Sequence, residues 1–137
     1  MSEDFLSMIA PFAAAYLVLV GLLVGSFINL AADRLPRGES VIRPRSHCRA
    51  CGRNLNVVDL LPVLGYLLRR GRCATCKTSI GVTAPMVEAV SGGFVLIALV
   101  WFGLWPGAAV ALGLVALWGA LVVGLAMRRK ETAPSAG

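Results

Sequence analysis

Four cysteines, the only ones in the chain, fall in two pairs, Cys48-x-x-Cys51 and Cys73-x-x-Cys76, with 21 residues between the pairs. Each pair can turn back on itself to offer two thiolates, and an intervening hairpin or helix can bring the pairs together. This is the spacing of a tetrahedral four-thiolate zinc site. Four thiolates fill the coordination sphere, so the expected role is structural, with no open position for a hydrolytic water. Gly52 suits the tight turn that closes the first knuckle, and Lys77 occupies the corresponding place in the second. Redox dithiols and inert thiols are the alternatives for the same residues. His47, beside Cys48, is an alternative ligand whose ordinary reading is a surface histidine.

The elements that must position these cysteines are unusually apolar. Of 137 residues, 58% are apolar and 15% charged, and the mean hydropathy is +0.79. That excludes intrinsic disorder and is too greasy for an ordinary soluble domain. Residues 8–32 carry no charged side chain and exceed the roughly 20 needed to cross hydrocarbon as a helix. Residues 87–105 just reach that length and 107–127 form a third such run, with Trp105-Pro106-Gly107 as the turn of a helical hairpin. No polar face exists to make these runs a soluble core. Glu3 and Asp4 stand where a cleaved signal peptide would carry basic residues, so the first run reads as a span. The expected architecture is an all-α membrane protein. Its transmembrane helices lie at 8–32, 87–105 and 107–127, a small tetracysteine zinc-ribbon-like domain occupies 33–86, and 128–137 form a tail that is frayed after Lys130.

Charge gives an expected orientation. All 13 Lys and Arg residues lie either between the first two spans or after the third, and the formal net charge is +6. By the positive-inside bias the N-terminus is outside, with the cysteine loop and the C-terminus in the cytoplasm. A reducing cytoplasm disfavours disulfides, and a loop this short buries little core, so a metal would supply folding energy. Topology accounts for the charge and the loop is poor in aromatics, so nucleic acid is not an expected partner. Anionic lipid suits the cations better. Residues 60–68, LLPVLGYLL, stand between Asp59 and the arginines Arg69, Arg70 and Arg72. They are too few to span. Either they pack on the knuckles or they dip into the headgroup region with the arginines at lipid phosphates. Gly21, Gly25 and Ser26 allow close helix approach, and Asn29 can hydrogen-bond across a helix interface. Glu88, at the mouth of the second span, is the acid best placed for a chemical role, because a carboxylate near hydrocarbon is expensive and usually paired. A salt bridge to Arg34 or another loop arginine is the competing expectation.

The runs GSFINLAADRLPRGES at 25–40, SHCRACG at 46–52, DLLPVLGYLLRRGRCATC at 59–76 and PMVE at 85–88 resemble, in order and spacing, the N-terminal region of the bacterial prepilin peptidases. The resemblance implies a first transmembrane helix with a Gly-Ser-Phe-x-Asn end and an Arg-Leu-Pro exit, a cytoplasmic tetracysteine zinc domain, and a return to the inner membrane at Pro-x-x-Glu. It also implies two activities on type IV pilin-like precursors: intramembrane aspartic cleavage of the leader, and methylation of the new N-terminus with S-adenosylmethionine. The chain departs from the family at 81–84, Gly-Val-Thr-Ala, where an Arg-Tyr usually precedes the proline. The family's catalytic aspartates lie in later helices, one in a Gly-x-Gly-Asp motif, and this sequence has no Gly-Asp. Its aspartates are Asp4, on the wrong side of the membrane, and Asp33 and Asp59, inside segments that match the family's non-catalytic region. An aspartic peptidase needs two carboxyls sharing a proton. The expectation is therefore no proteolysis by this chain alone. Instead it would be a module of precursor processing or methylation that acts with a separate peptidase catalytic subunit, with Glu88 as the weak catalytic candidate. No glycine-rich nucleotide loop is present, so S-adenosylmethionine rests on the resemblance. The alternative is a non-enzymatic, zinc-stabilised scaffold or docking subunit of a pilus or secretion assembly.

Overall fold

The computed structural model describes residues 3–132. In chain order these form α1 (Glu3–Arg34), a 3₁₀ turn (Leu35–Arg37), α2 (Val57–Leu60), α3 (Leu64–Leu68), α4 (Thr83–Phe102) and α5 (Leu104–Thr132). Among the described residues, three stretches are long and apolar enough to cross a membrane: Ser7–Arg37, formed by α1 and the 3₁₀ turn after it, and the helices α4 and α5. The fold is all-helical, and the strand-like pairings among the described residues are two isolated antiparallel bridges, His47 with Asn54 and Arg72 with Ser79.

The three long helices meet through small side chains. A Cβ on Gly25 would stand 2.7 Å from Glu88 Cα and 2.8 Å from Ser91 Oγ, and one on Gly21 would stand 2.6 Å from Val95 Cγ2. On the other side of α4, a Cβ on Gly107 would lie 2.6 Å from the Ala98 carbonyl oxygen. Lipid tails are as apolar as leucine, so close backbone approach of this kind is what holds spanning helices together. Gly21 and Gly25 are thus used inside the chain. Asn29 is half-buried and makes no hydrogen bond to another helix among the described residues. A narrow core of Ile28, Val95, Ala98, Leu99, Ala111 and Val115 fills the seam. Phe12, Trp101, Trp105, Leu112 and Leu117 project outward, as lipid-facing residues do.

These contacts carry a prediction. Gly25→Leu is expected to force α1 off α4 and to lower the thermal midpoint of the protein in detergent, by the equivalent of about 1–3 kcal/mol for an overpacked seam. Gly124→Leu, at a position with open space around it, is the control expected to leave the midpoint unchanged.

The hairpin between α4 and α5 differs from the expected turn at 105–107. The break falls at Gly103, whose φ of 78° and ψ of −177° end α4, and Trp105, Pro106 and Gly107 belong to the first turn of α5. Positive φ costs glycine little, and proline fits a first turn because the N–H groups there have no helical acceptor. The helix bounds move accordingly, and α5 continues to Thr132, two residues into the stretch after Lys130 expected to be frayed. The remaining residues of that expectation, 133–137, lie outside the described residues. Trp101, Phe102 and Trp105 surround the hairpin, at the end of the bundle opposite the cysteines, where aromatic residues mark a membrane–water interface.

Candidate metal centre

The cysteine pairs sit on two turns with the same local geometry. In the first, the Cys48 N–H donates to the Arg53 carbonyl (2.8 Å) and the Gly52 N–H to the Cys48 carbonyl (2.8 Å). In the second, the Cys73 N–H donates to the Thr78 carbonyl (2.9 Å) and the Lys77 N–H to the Cys73 carbonyl (3.2 Å). One rung further out, Leu55 N–H donates to Ser46 O and Ile80 N–H to Gly71 O. Segments 46–55 and 71–80 are therefore copies of one knuckle. Each closes on a residue with positive φ, 71° at Gly52 and 60° at Lys77. The lysine is the costlier choice, because its Cβ crowds the backbone in that region.

The two knuckles bring all four sulfurs within 4.8 Å of one another. Cys48 Sγ lies 3.7 Å from Cys76 Sγ, and Cys51 Sγ lies 4.0 Å from Cys73 Sγ. A tetrahedron with metal–sulfur bonds of about 2.3 Å has edges of about 3.8 Å, so the donor set fits a single tetrahedral ion. The separations are far beyond a disulfide bond, and all four cysteines are free. His47 is exposed and outside the group; its Nδ1 lies 3.0 Å from the Arg45 carbonyl oxygen.

The surroundings favour thiolate unevenly. The Cys73 thiol is lowered to about 6, chiefly by the backbone N–H groups of Cys76 and Thr75. The hydroxyl and backbone N–H of Thr78 hold Cys76 down as well. Cys51 is pushed up to about 11: the Arg53 backbone N–H favours its thiolate, but desolvation and the three neighbouring sulfurs outweigh that help. A divalent cation at the centre removes that mutual repulsion, since a coordinated thiol is deprotonated outright.

A second cluster locks the knuckles together, and the sequence did not single it out. Asp59, with its side chain 6% exposed, accepts from Arg53 Nη2 and Arg69 Nε, both at 2.7 Å, and from the Asn56 N–H at 3.1 Å. The Asn56 Oδ1 in turn accepts from the Asp59 N–H, which makes a capping box at the start of α2. Arg53 belongs to the first knuckle and Arg69 precedes the second, so one carboxylate ties both to α2. Burial alone would raise the Asp59 carboxyl; the Asn56 N–H and the two guanidinium groups reverse this and hold it below its usual range. The signal in the sequence is that Asp59 is the sole acid between Glu39 and Glu88 in a stretch rich in arginine. Asp33, at the end of α1, pairs bidentately with Arg37 at 2.9 Å and also with Arg49 of the first knuckle, which anchors the module to the first span.

The expected ion pair between Glu88 and Arg34 is not formed. Arg34 is buried and gives Nη1 to the Ser40 carbonyl (2.8 Å) and Nη2 to the Pro44 carbonyl (2.9 Å), because the linker after the 3₁₀ turn folds back over it. Glu88, 8% exposed, instead accepts the Val63 N–H at 2.7 Å. Val63 has φ 56° and ψ −48°, and its neighbours close a γ-turn in which the Leu64 N–H donates to the Pro62 carbonyl. This conformation is strained for a β-branched residue. A carboxylate on α4 therefore holds the break between α2 and α3. Glu88→Ala leaves the Val63 N–H unpaired and is expected to cost about 1–3 kcal/mol, whereas Glu88→Gln keeps an acceptor oxygen and costs less. Amide hydrogen exchange at residues 61–65 reads the difference.

The fold and site define a class: a multi-pass membrane protein whose first two spanning helices are joined by a four-cysteine module able to hold a metal ion. Residues 19–102 match the family model described as Bacterial Peptidase A24 N-terminal domain, and the chain belongs to that family. A prepilin leader peptidase/N-methyltransferase of Myxococcus xanthus is 42% identical over 82 residues, which cover 60% of this chain and 24% of the relative. The protein of the same name from Burkholderia pseudomallei is 35% identical over 127 residues, covering 74% and 41%. That of Pseudomonas putida is 32% identical over 155 residues, covering 96% and 53%. The chain thus spans between about a quarter and about half of the length of these relatives. No solved structure matches.

Proposed function

We propose that this chain is the zinc-stabilised membrane module of type IV prepilin processing, and that it handles pilin-like precursors together with an aspartic peptidase half that residues 1–137 do not contain. The observation that carries the reading is the four-sulfur cluster seated between the first two spans, in a chain whose relatives are named prepilin leader peptidase/N-methyltransferase. Zinc is the proposed ion because four thiolates in a tetrahedron are its habitual closed set. The proposed orientation puts the N-terminus outside and the cysteine module on the cytoplasmic face. Cys48, Cys51, Cys73 and Cys76 would hold the ion, and its chemistry there is structural.

The charged groups support a division of labour. An aspartic dyad needs two carboxyls that share one proton, so one of them must have a raised pKa. Asp33 and Asp59 are each committed to two arginines and are both held below the usual carboxylate range. Glu88 is spent on a backbone amide and acts here as a positioning residue. Methyl transfer from S-adenosylmethionine is the activity to which this module would contribute its substrate-facing surface.

The test is co-expression with a pilin-like precursor, with and without a peptidase half, followed by mass spectrometry of the precursor's N-terminus. Cleavage and methylation are expected only when both halves are present. Cleavage by this chain alone overturns the reading, and an unmodified precursor in the complete pair leaves the scaffold alternative in its place.

A further inference from the structure

We infer that residues 60–68 form a wedge seated in the bilayer on the cysteine side of the membrane, with lipid acyl chains and headgroup phosphates as its partner. The juxtaposition that carries this is the hydrogen bond from Val63, at the break between α2 and α3, to Glu88, inside the second span. Glu88 stands 13 residues before Trp101 on α4, or about 20 Å along the axis at 1.5 Å per residue. The hydrocarbon is about 30 Å thick, and α4 has only 20 residues with which to cross it. With Trp101 at the far interface, Glu88 lies about 10 Å inside the near one. The Val63 N–H is bonded to the end of that side chain, which on a helix leans toward the N-terminus, so Val63 lies about 4–10 Å inside the near interface.

The segment has the chemistry for that position. Backbone placed at such depth must have its polar groups satisfied. The N–H groups of Leu64, Gly65 and Leu67 bond within the segment, and Pro62 has no N–H to satisfy. The γ-turn at the helix break frees the N–H of Val63, and Glu88 accepts it. The Glu88 side chain thus has a partner there, the amide that the turn leaves without a helical acceptor. Pro62 and Gly65 face inward, while Leu60, Leu64, Leu67 and Leu68 are 48–65% exposed, an apolar face left open among the described residues. Directly after it, Arg70 and Arg72 are exposed and form no ion pair among the described residues, which suits them to lipid phosphate. The wedge would fix the depth of the metal module over the membrane, because Arg69 at its end shares Asp59 with Arg53 of the first knuckle.

The test uses the full chain in vesicles of phosphatidylethanolamine and phosphatidylglycerol, with a benzophenone amino acid placed in turn at Leu64 and Leu67. Leu112 on α5 serves as the lipid-facing control and Ile42 in the linker as the solvent-facing one, both being 74% or more exposed. After irradiation, intact-protein mass spectrometry is expected to find phospholipid adducts at 64 and 67 in yields within about twofold of that at 112, and none at 42. Adducts at 112 alone, or crosslinks from 64 and 67 to protein, overturn the inference. Each variant must retain the wild-type metal content; if either loses it, Leu60 and Leu68 carry the probe instead.

Discussion

Stripping the bound metal with a strong chelator, or replacing Cys73 with serine, is expected to unfold residues 46–80 while α1, α4 and α5 stay assembled. The module has little else to hold it. Its helices α2 and α3 are four and five residues long, its only bridges are isolated pairs, and most of its apolar side chains are exposed. Helices this short are not stable by themselves. A structural zinc site contributes roughly 10–16 kcal/mol of apparent binding energy at neutral pH, well above what so small a core supplies. The spanning helices pack through Gly21, Gly25, Gly107 and the Ala98 seam, none of which involves the knuckles. Hydrogen exchange in detergent should therefore show amides 46–80 losing protection as metal leaves, with those of residues 87–99 and 108–120 unchanged. About one zinc per chain is expected in the intact protein and close to none in the Cys73→Ser variant. Full metal content after loss of a cysteine, or a module that stays protected without metal, would count against a folding role for the cluster.

Asp59→Ala is expected to be the most damaging single change away from the cysteines. It removes one buried carboxylate and leaves two guanidinium groups, Arg53 and Arg69, facing each other with side chains only 24% and 30% exposed. Breaking a buried pair costs about 3–5 kcal/mol, and the partial exposure of both arginines lowers the figure here to about 2–4 kcal/mol. Metal affinity should fall in the same variant, because Arg53 and Arg69 no longer hold the knuckles at a common distance. The contribution depends on pH in a definite sense. The folded-state pKa of Asp59 lies below its unfolded value of about 3.9, so the stabilisation is fully present above that value and is lost as pH falls through the lower, folded one. Asp33 and Glu39, both held low by Arg37, act in the same direction. A pH titration of module protection in the wild type against Asp59→Ala should converge in acid and diverge towards neutrality.

Much of this protein is written in local features that survive without a fold. Uninterrupted apolar runs determine that three helices span, because the energy of burying an unpaired backbone in lipid allows little else. Two CxxC pairs determine a four-sulfur site, because that spacing returns each chain to its own first thiolate. The equivalence of Gly52 and Lys77 follows from the same spacing, and both take positive φ. Proline's reputation as a breaker misplaced the hairpin by two to three residues. Pro106 is as comfortable in a first helical turn as in a loop, and which of the two it occupies depends on where Gly103 can take positive φ.

The acids were the residues that the sequence alone could not assign. Charge and position made Arg34 a natural partner for Glu88, yet Arg34 turns to two carbonyls of its own linker and Glu88 to the amide of Val63, 25 positions away. Asp59 looked like one polar residue beside an apolar run and is the tie between both knuckles. A hydrogen bond to backbone leaves no trace in residue type, since every residue but proline offers the same N–H. Periodicity and spacing thus determined which elements form and which atoms can hold a metal. Where each buried carboxylate spends its charge was decided by the packing that brings distant backbone groups within reach.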